Sequence, residues 1–311
     1  MSAYGDWFDI CKNSGNKFAT FPVCNLFNGS PAGRANPGTH INNGNSFGDG
    51  CQLTGISLGD GRYLANLGSI LLCALAIAVA ILLILRSNVK KAAVGRREMQ
   101  LFLLGYIIID ICEIFTIGGF PLDAAVRRGF SAAHIAAVVV TSWILLLNAL
   151  VGFQFMEDGT AVSLGLMIAS GAALFIGTGY IALDTGFSWT GYFDSTLEEP
   201  NQAYALYTLY QIVPLLFLVA FFLLEAFLVL RILGERRPML YLLGSAILFA
   251  IGQIFNYTIS QYICNGTNGK INGGLFETLF TLLAVIMVWI FWSSITEDDW
   301  PIPPAGEPAY R

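Results

Sequence analysis

Asp110 and Glu113 are the residues of this chain best placed to do chemistry: two carboxyls one helical turn apart within an apolar run over 101–120. An ionised acid at mid-bilayer costs at least about 2.5–3.5 kcal/mol, so each must point inward, pair with a donor, or carry its own proton. Such a pair could bind an ion or relay a proton, and Glu225, in a later apolar run, could add to it. The plainer reading is a polar contact within a helical bundle, because no Lys or Arg inside these runs completes a relay. The cysteines offer a second chemistry. Cys11, Cys24, Cys51 and Cys264 lie outside the apolar runs, and Cys73 and Cys112 lie within them. Four thiols in an oxidising lumen predict two disulfides, with three possible connectivities. No C-x-x-C or Cys/His spacing supports a metal, and no cofactor is expected. Gly44-Asn-Ser46-Phe-Gly48 matches the G-x-S-x-G pattern of a hydrolase elbow, which needs a strand before it, a helix after it and a partnered His. Asn and Gly flank it instead, and the only histidines are His40 and His134, so it reads as a loop and no catalytic residue is assigned.

The elements that must position these groups are membrane helices. Of 311 residues, 55% are apolar and 12% charged. A soluble domain carries roughly 25% charged residues, so the chain is an integral membrane protein. Seven apolar spans are predicted, at about 64–85, 101–120, 133–153, 161–183, 204–230, 240–263 and 275–295. The segment Arg86 to Glu98 sets their direction. It holds Arg86, Lys90, Lys91, Arg96 and Arg97, and short loops rich in Lys and Arg stay cytosolic. The loops 86–100 and 231–239 together carry eight Lys/Arg, against three (Arg127, Arg128, Lys270) on the other side. The chain is therefore expected to be an all-α membrane protein, a seven-transmembrane bundle with an exoplasmic N-terminus and a cytosolic C-terminus. Three regions follow: an exoplasmic Cys-containing tail over 1–63, the bundle over 64–295, and a short acidic, Pro-rich cytosolic tail over 296–311. The first 63 residues contain no apolar signal core, so the first span is expected to act as its own insertion signal.

Two sequons, Asn28-Gly-Ser30 and Asn265-Gly-Thr267, fall on the exoplasmic side and are candidate glycosylation sites. The fourth span places Ala169, Ala173 and Gly177 on one stripe at four-residue spacing. Such a stripe permits close helix approach, either in internal packing, the default, or in docking another protein's helix. Gln253 and Asn256 of the sixth span can hydrogen-bond across helices. No basic face for nucleic acid appears; lipid is the expected surrounding. The tail Glu297-Asp298-Asp299 is a candidate signal for vesicle-coat machinery.

Across the chain, short motifs accumulate in order: Phe8-Asp-Ile-Cys11, Pro22-Val-Cys24, Leu64-Ala-Asn66, Ala93-Val-Gly95-Arg96-Arg97-Glu98 and Gly152-Phe-Gln154-Phe-Met-Glu157-Asp158-Gly159-Thr160. Gly252-Gln253, Ile263-Cys264-Asn265, Gly274-Leu-Phe276 and Phe291-Trp292-Ser-Ser-Ile-Thr296-Glu-Asp298 continue the series. In these the chain resembles the fungal chitin synthase export chaperones, seven-span proteins of the endoplasmic reticulum, as a divergent member. It departs from that family after the second span, where Gly119-Phe-Pro121-Leu-Asp-Ala-Ala-Val-Arg127 replaces a Pro-Pro-Gly-rich loop. The last span also lacks the family's Tyr-Lys pair. The resemblance implies a chaperone that assists folding and export of a polytopic client, a chitin synthase, and so supports cell-wall chitin synthesis. It implies residence in the endoplasmic reticulum, with passage alongside the client to the plasma membrane as a further option. Gly95, Arg96, Glu98, Glu157, Asp158 and Gly159 are the motif residues that could contact a client.

A processive glycosyltransferase needs a cytosolic domain of about 50 residues or more, and the longest cytosolic loop is about 15 residues. Neither D-x-D nor Q-x-x-R-W occurs, so no enzyme is expected. Two other classes fit the topology: a seven-span receptor-like sensor and, on the three acids alone, an ion- or proton-coupled transporter.

Overall fold

A computed structural model describes residues 4–13, 21–27, 53–59, 62–118, 120, 122–154, 159–196 and 202–296. Seven helices in it are long and apolar enough to cross a membrane, as the hydropathy predicts. They are preceded by a short helix α1 (Phe8–Asn13), a single 3-10 turn (Pro22–Asn25) and a small antiparallel hairpin of β1 (Ile56–Gly59) and β2 (Arg62–Leu64). The spans are α2 (Leu67–Val89), α3 (Arg96–Thr116), α4 (Ala124–Gly152), α5 (Ala161–Phe187), α6 (Tyr204–Leu233), α7 (Arg237–Gly266) and α8 (Gly273–Ile295).

Local chemistry sets the ends of these helices, and it moves several from their hydropathic limits. The third span starts at Ala124 rather than 133 because Asp123 Oδ1 accepts the Ala124 N–H at 2.8 Å, which draws Arg127 and Arg128 into the helix. Arg86 continues α2, while Arg96 and Arg97 open α3, so the basic linker shortens to 90–95. At the N-terminal end of the bundle, Asn66 caps α2 by accepting the Ser69 N–H at 3.2 Å. Its amide donates to Asn272 Oδ1 at 3.2 Å, and its backbone N–H donates to Gly118 O at 3.1 Å. One asparagine therefore joins the ends of α2, α3 and α8.

In lipid, the apolar effect does not hold helices together; close packing and interhelical hydrogen bonds do. Accordingly α2 turns inward a stripe of small groups, Ser69, Cys73, Ala76, Ala80 and Ser87. Gly105 of α3 lies so close to Thr141 of α4 that any side chain there would collide with it. The third span, α4, is central and packs on α3, α5 and α6, whereas α8 packs on α7 and α2. The main core joins Met99, Phe102, Leu103 and Tyr106 to Leu145, Ala149, Leu242, Phe291 and Trp292.

A second apolar cluster closes the N-terminal end. Trp7, Cys11, Phe21, Val23, Cys24, Leu26 and Phe27 pack on Ala132 and Ile135 of α4, Ala182 of α5, and Ala203 and Leu206 near the start of α6. The described parts of the N-terminal segment thus form a cap on the bundle. Asn25 Nδ2 donates to Ser131 Oγ at 2.9 Å and fixes the register of that cap. Thr54 N–H donates to Gly269 O at 2.9 Å, tying the segment before β1 to the loop after α7.

Candidate functional site

Beneath this cap, several spans bring polar side chains into one buried centre. Glu113 is its pivot. Its Oε2 accepts from Cys73 Sγ of α2 at 3.4 Å and from Thr278 Oγ1 of α8 at 3.2 Å. Its Oε1 faces His134 Nε2 of α4 at 3.7 Å. Asp110 follows the same face one turn along α3, and a carboxylate oxygen from each acid and Cys73 Sγ all lie within 4.8 Å of one another. Cys73, Asp110, Glu113, His134 and Thr278 are all buried. Next to Thr278, Glu277 Oε1 accepts from Thr281 Oγ1 at 3.1 Å and from Gln253 Nε2 of α7 at 3.4 Å. Gln253 therefore makes the cross-helix bond its type suggested, while Asn256 Oδ1 is buried without a hydrogen-bond partner. The pairing of Asp110 with Glu113 was legible from spacing. Glu277, His134 and Cys73 were not drawn to it, because their link to the acids crosses helices distant in sequence.

Glu225 stands apart. It lies toward the opposite end of α6, buried, with Oε2 unpartnered. The structure does not bring it to the Asp110–Glu113 centre.

At that opposite end, the motif residues build a second junction. Gly95 caps α3 with φ 69°, and a Cβ there would meet Asn148 Oδ1 at 2.7 Å. The position therefore requires both the left-handed backbone and the missing side chain. Trp292 Nε1 donates to Val94 O at 2.9 Å, and Lys90 Nζ donates to Ser293 O at 3.2 Å, which clamps the basic linker on the end of α8. Glu98 is fully buried and reaches across to α5: its Oε1 accepts the Gly159 N–H at 3.1 Å and Ser163 Oγ at 3.4 Å. Gly159 itself has φ 65°. Two motifs about sixty positions apart thus meet at one carboxylate, Glu98 reaching Gly159 across |i−j| = 61. Arg96 is half-buried beside them, and Glu157 and Asp158 lie outside the described residues.

Cys11 pairs with Cys24, closing the cap on itself. Cys264 is disulfide-bonded. Cys51 and Asn28 lie outside the described residues. Asn265, next to Cys264, is exposed at the end of α7. The small-residue stripe of α5 does not pack internally as expected by default. Ala169, Ala173 and Gly177 are exposed, and a Cβ built on Gly177 or on Gly165 would meet nothing within 4 Å.

A sequence model of a protein family described as chitin synthase export chaperone matches residues 3–305. The chain is 32% identical to a chitin synthase export chaperone of Coccidioides immitis over 72% of this chain and 66% of that protein, just under two thirds of its length. It is 29% identical to one from Emericella nidulans and 28% to one from Aspergillus oryzae, each alignment covering 95% of this chain and 84% of the relative. No solved structure matches.

Proposed function

The chain belongs to the chitin synthase export chaperone family, and from that premise we propose how it works. It sits in the endoplasmic reticulum membrane, binds a polytopic chitin synthase through a helix face turned to lipid, and accompanies it into export. The observation that carries this mechanism is the outward stripe of α5, where Gly165, Ala169, Ala173 and Gly177 are exposed and, among the described residues, nothing lies within 4 Å of a Cβ placed on Gly165 or Gly177. Small residues at four-residue spacing let a second helix approach backbone to backbone, the source of association energy in lipid. Binding of this kind shields a client's polar helix faces and assigns this chain no reaction of its own.

The proposed orientation sets the disulfide-closed cap in the lumen and the Glu98 junction in the cytosol. Disulfides such as Cys11–Cys24 persist in oxidising compartments. Arg86, Lys90, Lys91, Arg96, Arg97, Arg231, Arg236 and Arg237 cluster at the other end, the arrangement that cytosolic loops favour. The client's soluble domain then faces the segment holding Glu157 and Asp158, whose charge would modulate an affinity supplied mainly by helix packing. The acidic residues after Thr296 are the segment we assign to vesicle-coat machinery.

Deleting the gene is the test. A chitin synthase with intact catalytic residues should be retained or aggregated in the endoplasmic reticulum, and cell-wall chitin should fall. Normal delivery of every chitin synthase in the deletion strain would sink the proposal.

A further inference from the structure

We propose that Cys73, Asp110, Glu113 and His134 form a binding site for a divalent transition-metal ion, with zinc the best fit. Clustered acids alone would not carry this, since they can share protons or hydrogen-bond to neighbours. The histidine is what changes the reading. His134 is 4% exposed, neither ring nitrogen has a hydrogen-bond partner, and Nε2 faces Glu113 Oε1 of the cluster at 3.7 Å. An imidazole left unbonded among packed helices is destabilising, and a ligand at Nε2 would recover that loss.

The donor set selects the metal. One thiol, one imidazole and two carboxyls suit a borderline ion such as zinc; calcium and magnesium take oxygen donors throughout. Some of the separations suit a metal already, and the largest movement falls to His134: it meets Glu113 Oε1 but lies outside the group that Cys73, Asp110 and Glu113 form, so its ring must swing toward the thiol and Asp110. Tetrahedral zinc bonds of about 2.0–2.3 Å set donors roughly 3.3–3.8 Å apart. The His134–Glu113 separation of 3.7 Å already lies there. The Cys73, Asp110 and Glu113 atoms, within 4.8 Å of one another, need to close by about 1 Å at most, within reach of side-chain rotation. Thr278 Oγ1 already donates to Glu113 Oε2 at 3.2 Å, the kind of outer contact that orients a carboxylate ligand. On binding, the Cys73 S–H bond breaks, its electron pair forms the metal–sulfur bond, and the proton passes to solvent. The bound ion would clamp α2, α3 and α4 beneath the N-terminal cap. Linear spacing hides such a site, because its donors come from three helices.

The test uses the full chain without a polyhistidine tag, purified in mild detergent, stripped with a chelator and titrated with cobalt(II) as a spectroscopic probe. The expected result is one cobalt per chain, a thiolate-to-cobalt absorption band, and loss of that band on adding zinc. Cys73→Ser should abolish the band and His134→Ala should weaken cobalt binding about tenfold or more. Cys73 and Cys112 are the free cysteines among the described residues, so Cys112→Ser is the reciprocal variant should Cys73→Ser fail to fold; it should keep the band. Glu225→Gln, remote from the centre, should bind as the parent does. Failure of the parent chain to take up cobalt, binding without a thiolate band, or loss of the band in Cys112→Ser would each overturn the proposal.

Discussion

At the scale of single residues, Glu98 shows how a charge-bearing motif can serve architecture. In sequence it stands among Arg96 and Arg97 and looks like a surface charge ready for a partner. In the structure its carboxyl is buried, with Oε1 accepting from Gly159 and Ser163. Glu98→Ala should therefore destabilise the chain by about 1–3 kcal/mol, because the buried Ser163 hydroxyl and the Gly159 N–H both lose their acceptor. Glu98→Gln, which keeps an acceptor oxygen, should cost less, and Arg96→Ala should fall near about 0.5 kcal/mol as an ordinary half-buried substitution. Denaturant titration in detergent would rank the three; equal effects for Ala and Gln would refute the acceptor argument. The cap supplies a second residue-scale test. Replacing both Cys11 and Cys24 with Ser removes a cross-link closing a sequence separation of 13 and should cost about 2–4 kcal/mol. Protease cleavage within the first 27 residues, with the bundle left intact, should report the loosened cap. Residue types made both disulfide cysteines and the Asp110–Glu113 pair legible beforehand. What Glu98 touches was not, since it depends on a contact with |i−j| = 61.

At the scale of helices, hydropathy located all seven spans but drew their ends where apolarity fades rather than where hydrogen bonding stops. The largest disagreement is at α4, where the Asp123 cap extends the helix through Arg127 and Arg128. Small-residue stripes were ambiguous in the same way. The sequence holds small residues in both helices, yet α2 turns Cys73, Ala76 and Ala80 inward, and α5 turns Ala169, Ala173 and Gly177 outward. Which stripe meets a neighbour depends on the packing order of the bundle, which periodicity does not encode. The two stripes should respond oppositely to bulk. Ala76→Phe should destabilise the isolated chain by about 1–3 kcal/mol through overpacking. Ala169→Phe with Gly177→Leu should leave the isolated chain folded, since both positions are exposed, and should reduce co-purified chitin synthase several-fold. Unchanged client recovery from that double variant, with normal expression, would move the docking face elsewhere on the bundle.

At the scale of the whole molecule, the two ends of the bundle are chemically different. One carries the disulfide-closed cap over the buried polar centre, and the other carries the basic residues and the motif junction clamped by Trp292 and Glu98. A membrane converts that asymmetry into orientation, because Lys- and Arg-rich linkers resist translocation while disulfides persist in the lumen. The direction rests mainly on α2 and α3, since Arg86, Lys90, Lys91, Arg96 and Arg97 all lie at their junction. With seven spans, a lumenal cap requires a cytosolic C-terminus. A glycosylation reporter fused after Arg311 should accordingly stay unmodified, whereas Asn265, exposed at the end of α7, should accept a glycan or be limited only by its closeness to the membrane. Changing the five basic residues to Gln should weaken the bias and produce a fraction of chains with a glycosylated reporter. A modified reporter on the unaltered chain would invert the bundle. The Glu98 junction would then lie in the lumen, out of reach of a client's cytosolic domain, and the role proposed for Glu157 and Asp158 would fall with it.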